Sequence, residues 1–201
     1  MIDFALEIPT SKDVTEAHKV FAAKEPRGTD QYWNALGNVQ QGFQNDDLHR
    51  AANAIAALIK SWNWNHLRFH PEKTARLESD VENLIVANYP LLCQFRARSL
   101  ASITAADRPT VLGLFSNFAD TLGPVGSAKA LNLIAPSLFP LWDNAIACEY
   151  GVDLSASGYA LFMAISLVQI ERLAGQLPEG LAPLKTIDEY NYCKFTKKWV
   201  S

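Results

Sequence analysis

Much of what this chain does not contain narrows its chemistry. Cysteine is scarce: Cys93, Cys148 and Cys193 are odd in number, far apart, and include no C-x-x-C pair. A zinc site or iron–sulfur cluster built on cysteines is not expected, and no metal or cofactor is implied. Three isolated thiols fit buried side chains in a reducing cytoplasm. Long apolar runs are missing too; no stretch reaches ~18 uninterrupted apolar residues, so no membrane span is expected. The start, MIDFALEIPTSKD, lacks the basic residues and apolar run of a signal peptide. A soluble, cytoplasmic protein is expected. Basic surplus is absent as well: 18 Lys and Arg stand against 21 Asp and Glu, a formal charge of −3, so charge alone does not point to nucleic acid. No convincing run alternates with period two, which excludes a half-buried sheet and leaves an all-α fold. With 201 residues, 49% of them hydrophobic, the chain suffices for one domain or two small lobes sharing a core.

Helical periodicity recurs along the chain. Val14, Ala17, His18 and Phe21 mark a first helix capped by Ser11 or Asp13, after an Ile8-Pro9-Thr10 breaker. Tyr32, Trp33, Leu36, Val39 and Phe43 mark a second from Thr29 or Asp30. The clearest stripe is Leu48, Ala52, Ile55, Ala56, Ile59 and Trp62, capped by Asn45 or Asp46. Trp62-Asn63-Trp64-Asn65-His66 follows, either a platform for stacking bases or an anchor that ties a loop to the core. A helix over 72–88 is expected to break at Tyr89-Pro90, and the next segment carries Arg96 and Arg98. Thr104 or Asp107 caps a helix that runs to Leu122. An apolar helix from Ser155 or Ser157 to about 174 is apolar nearly all round and is expected to be the most buried element. A last helix spans about 187–195.

Residues 122–146, LGPVGSAKALNLIAPSLFPLWDNAI, carry the most information. Lys129 is the only Lys or Arg between positions 109 and 171, a segment that also holds Asp120, Asp143, Glu149, Asp153 and Glu171. Such a lysine either pairs with an acid or has a shifted pKa. Gly123 and Gly126 bracket a turn that leads into helical periodicity, and backbone N–H groups at such a turn suit an anion. Near a helix start, the dipole and desolvation would both favour a neutral, nucleophilic amine. Asp143, 14 residues on, is a natural N-cap of the next helix. It is also placed to stabilise a developing cation if both side chains face one cleft.

At Val125-Gly126, Lys129, Pro136, Leu138-Phe139-Pro140, Trp142 and Asp143 the chain resembles the helix-hairpin-helix DNA glycosylases of base excision repair. It most resembles divergent bacterial proteins near the 8-oxoguanine DNA glycosylases. The resemblance implies that Lys129 is the nucleophile at the sugar C1′, that Asp143 assists it, and that a damaged base is flipped into a pocket between two helical lobes. Those lobes would be roughly 1–105 and 106–201. DNA would be held by Gly123, Val125, Gly126 and Ser127 with Arg96 and Arg98, while Asn132 and Trp142 either line the pocket or only pack. The resemblance leaves open whether lyase chemistry cuts the strand after excision. The usual L-P-G-V-G hairpin reads Leu122-Gly123-Pro124-Val125-Gly126 here, and the lysine falls one residue later. Two other readings stay open. One is a non-catalytic binding protein with a structural Lys129–Asp143 ion pair; the other is a helical interaction domain unrelated to repair.

Overall fold

A computed structural model describes residues 8–62, 69, 71–177 and 182–201. Among these the chain is all-α, with eight α-helices and no strand. They are α1 Ser11–Lys24, α2 Pro26–Gln44, α3 Leu48–Trp62, α4 Pro71–Arg96, α5 Arg108–Ile134, α6 Asn144–Glu149, α7 Ala156–Arg172 and α8 Pro183–Asn191. A π-helical turn, Tyr192–Thr196, continues α8. Residues 63–66 of the tryptophan-rich run lie outside the described residues. No helix among the described residues is long and apolar enough to cross a membrane.

Helix starts follow local chemistry, with shifts of a few residues from expectation. Thr10 caps α1: its hydroxyl accepts from the Asp13 N–H at 3.3 Å, and the Asp13 carboxylate accepts from the Thr10 N–H at 2.8 Å. The residue expected to break the chain therefore starts the helix, and Asp13 completes the capping box. Helix α2 begins at Pro26 rather than Thr29, because proline lacks an N–H and has a helical φ, both suited to a first helical position. Asp47 supplies the cap of α3, its Oδ1 accepting from the Arg50 N–H at 3.0 Å. The neighbouring Asp46 takes φ +55° in the reversal before it. Ser155 caps α7, as one of the two expected candidates, by accepting from the Gly158 N–H at 3.0 Å.

Pro90 does not break α4, which runs on to Arg96. The carbonyl that loses its partner belongs to Val86, four residues back, and Val86 is 56% exposed. Water can satisfy that group, so the missing bond falls where it costs least.

Helices α2, α3 and α4 pack in sequence, and α5 touches all three as well as α7. Helix α1 lies mainly against α8, bringing the two ends of the chain together. Where α2 turns into α3, a Cβ on Gly42 would lie 2.8 Å from the Asp47 carbonyl oxygen and 2.9 Å from Ala51. Gly42→Ala is expected to cost roughly 1–3 kcal/mol by overpacking. Gly37→Ala, with no atom within 4 Å of its Cβ, should instead gain up to about 1 kcal/mol from helix propensity. Urea denaturation of both variants checks the contrast.

The order of burial differs from expectation. Helix α7 buries Tyr159, Phe162 and Met163 but leaves Leu161 53% exposed. The second half of α5 is shut in more completely: from Gly126 to Ala135 every residue is buried except Lys129, which is partly buried, most of its side chain lying below the surface. Helix α8 is buried nearly all round despite its polarity, with Lys185, Thr186, Glu189 and Asn191 each at most 3% exposed. The cysteines also depart from expectation. Cys93 and Cys148 are exposed, and only Cys193 is buried, where desolvation pushes its thiol up to about 11.

Candidate functional site

Helix α5 changes direction at one residue. Gly123 has φ +71° and ψ 165° inside an otherwise helical run, a conformation that side chains other than glycine's resist. Pro124 then opens the second half, so the turn expected over Gly123–Gly126 shrinks to a one-residue break. Lys129 accordingly lies in the second turn after it, deeper than the helix dipole acts strongly. The Trp142 indole N–H donates to the Pro124 carbonyl at 3.1 Å, tying the break to the segment that leads into α6. That segment is also held by Tyr159, whose hydroxyl donates to the Pro140 carbonyl at 2.7 Å.

A cleft of about 970 Å³ opens at this break. Gly123, Val125, Gly126, Lys129, Trp142 and Asp143 all line it. Helices α2 and α3 contribute Arg27, Gln31 and Trp62, and the C-terminal part contributes Asp188, Tyr192, Thr196 and Lys197. Trp62 is fixed by its indole N–H, which donates to Gln31 Oε1 at 3.2 Å. The Lys129 Nζ stands 5.5 Å from the centre of the Trp62 ring.

Burial lowers the Lys129 amine to about 8, against the opposing pull of the Asp143 and Asp188 carboxylates. Desolvation of the ammonium outweighs both anions. Asp143 caps α6, its Oδ1 accepting from the Ile146 N–H at 2.9 Å. Its Oδ2 accepts from the Thr196 hydroxyl at 2.6 Å. Both oxygens are thus oriented by neutral donors, which fixes the carboxylate without cancelling its charge.

Four other residues singled out in the sequence do not line this cleft. Ser127 is fully buried and its hydroxyl has no partner among the described residues. Asn132 is structural glue: it accepts from the Tyr32 hydroxyl at 3.0 Å and donates to the Phe139 carbonyl at 2.7 Å. Arg96 stacks 4.3 Å from the centre of the Phe43 ring, and burial lowers its pKa. Arg98 forks onto Asp107 at 2.7 and 2.9 Å and holds the Asp107 carboxyl well below the usual range.

Sequence reasoning missed Asp188, Lys185, Glu189, His18 and Thr196. Lys185 Nζ lies 2.7 Å from Asp188 Oδ2 and 3.6 Å from Glu189 Oε1. Glu189 Oε2 lies 2.7 Å from His18 Nδ1. The only sequence signal was the i, i+3, i+4 spacing on α8, which a solvated helix face shows equally often. Among the described residues, no group of three His, Cys, Asp or Glu side chains is arranged to hold a metal ion. No known protein family, characterised protein or solved structure matches this chain.

Proposed function

We propose that this protein is a base-excision DNA glycosylase in which Lys129 is the nucleophile and Asp143 its assisting carboxylate. The observation that carries the reading is the meeting of Lys129, Asp143 and the Gly123 break in one open cleft. An amine lowered to about 8 is partly neutral at physiological pH, as attack on a sugar carbon requires. In this reading the Nζ–C1′ bond forms as the C1′–base bond breaks, with the electron pair and a proton leaving on the base. The Asp143 charge stabilises the sugar cation as it develops. Breaking of the C1′–O4′ bond, with its electron pair and a proton taken up by O4′, gives a protonated Schiff base between Nζ and C1′; loss of a C2′ proton with departure of the 3′-phosphate then cuts the strand. Trp62, set by Gln31 beside the amine, offers a face for the extruded base.

The resemblance to helix-hairpin-helix glycosylases supports the same reading, with the break at Gly123 lying in the segment that the resemblance assigns to the hairpin. The ion-pair alternative is less well supported, because a pair whose attraction dominated would raise the lysine pKa rather than leave it lowered. The test is borohydride trapping of the wild type on duplexes that each carry one damaged base or an abasic site. Covalent protein–DNA adducts on at least one duplex are expected, and none on undamaged DNA. No adduct on any duplex would remove the reading.

With a formal charge of −3 and only Arg27, Lys129 and Lys197 as cleft cations among the described residues, DNA binding should release few counterions. Log affinity should fall with log salt at a slope of roughly −0.9 per contacted phosphate, for a handful of contacts. Fluorescence anisotropy across a salt series measures it. A slope that implies ten or more contacts contradicts this mode of binding.

A further inference from the structure

Helix α8 carries a buried charge cluster that no step above uses. Lys185 is 3% exposed, and its ammonium lies 4.6 and 4.9 Å from the centres of the Phe21 and Tyr32 rings. Asp188 and Glu189 hold it from one side, and His18 closes the far end against Glu189. Apolar side chains of similar volume would serve stability as well or better, since burying paired charges returns little. Of the four members only Asp188 lines the cleft, so the cluster presents one anion to the place where Lys129 and Asp143 stand.

We infer that Asp188 is a positioning residue for the nucleophile: anchored by the buried Lys185, its charge sets how readily the Lys129 amine gives up its proton. This rests on the glycosylase reading for its meaning in catalysis. Among the described residues, the charged and titratable groups that line the cleft besides Lys129 are Glu25, Arg27, Asp143, Asp188, Tyr192 and Lys197. Glu25 lies 3.6 Å from the Lys197 ammonium and accepts from the Tyr192 hydroxyl at 3.2 Å, so these three largely satisfy one another. Among the described residues, the carboxylates that favour the Lys129 ammonium are Asp143 first and then Asp188. Asp143 is committed to capping α6 and to Thr196, whereas the anchor of Asp188 is itself a charge. The Lys185 ammonium thus tempers Asp188, and Asp188 in turn restrains the loss of the Lys129 proton that burial promotes.

The experiment follows the Lys129 Cε resonance with pH by NMR in wild type, Asp188→Asn, Asp188→Glu and Glu189→Gln. The same proteins are then assayed for borohydride trapping of an abasic duplex as a function of pH. The wild-type midpoint should fall near about 8. Asp188→Asn should lower it measurably, and the rising limb of trapping should shift with it. Asp188→Glu keeps the charge and should restore the wild-type midpoint. Glu189→Gln removes a carboxylate that does not line the cleft while the 2.7 Å Lys185–Asp188 contact remains, and should leave the midpoint in place. Equal midpoints in wild type and Asp188→Asn would overturn the inference, as would an equal shift in Glu189→Gln. If no protein traps DNA while the Asp188→Asn midpoint still drops, the glycosylase reading fails and the assignment of Asp188 stands.

Discussion

Replacing Lys129 with Gln is expected to abolish the trapped adduct on every damaged duplex, while the protein keeps its helical content. The loss should be complete, because the amide nitrogen cannot form an imine and no other group replaces the bond. Gln also preserves most of the side chain's length beside Trp62, so DNA affinity should change little. Asp143→Asn should behave differently. Asn caps a helix nearly as well as Asp, and the Thr196 hydroxyl can still bond to the amide. The variant should keep its melting temperature yet slow excision by roughly a hundredfold, the usual size for one lost group that stabilises transition-state charge. Adduct should still accumulate with it on longer incubation. Gel-resolved trapping and circular dichroism on the three proteins separate chemistry from folding. Equal trapping by Lys129→Gln and wild type would assign the nucleophile elsewhere.

The second large effect is on stability, and its sign is opposite to that expected of a structural ion pair. The Lys129 pKa falls from 10.5 unfolded to about 8 folded, with desolvation the largest cause. Between those values the unfolded chain binds more protons, so stability of the wild type rises with pH there. Below pH 8 the full penalty of burying the ammonium applies, on the order of 3 kcal/mol at 1.36 kcal/mol per unit. Lys129→Met should therefore be more stable than wild type by about that amount at pH 7. The advantage should shrink as pH rises from 8 to 10.5. Taking the difference between the two proteins cancels the titration of every other lysine and tyrosine that is unchanged. Breaking a dominant buried ion pair would instead destabilise the variant by ~3–5 kcal/mol. Urea denaturation at a series of pH values reads the sign directly.

The helical class and several caps were readable in the sequence because they depend on neighbours in the chain. Asp143 was identifiable as an N-cap from its place before Asn144-Ala145-Ile146, and its Oδ1 does accept from the Ile146 N–H. What depended on tertiary surroundings was not readable. Pro90 stays within α4 because the carbonyl it orphans is on an exposed turn, which no local pattern announces. Helix α7 looked more buried than α8 because composition was the only guide, yet α8 hides a lysine and a glutamate by pairing them. The same pairing concealed Asp188 from the sequence reading, since Lys185 and Asp188 look like an ordinary surface pair until α8 is placed against α1. The lowered pKa of Lys129 was expected partly from the helix dipole. The position of Lys129 in the second turn transfers that role to burial, which only the assembled core supplies.

The central claim is that Lys129 is the amine that bonds to the sugar. The most direct measurement is to reduce the complex of wild-type protein and abasic duplex with borohydride, digest it, and locate the deoxyribose remnant by peptide mass spectrometry. The account predicts one modified peptide with the mass increment on Lys129. A remnant on Lys197, on Lys185 or on the amino terminus, or no remnant at all, would contradict it.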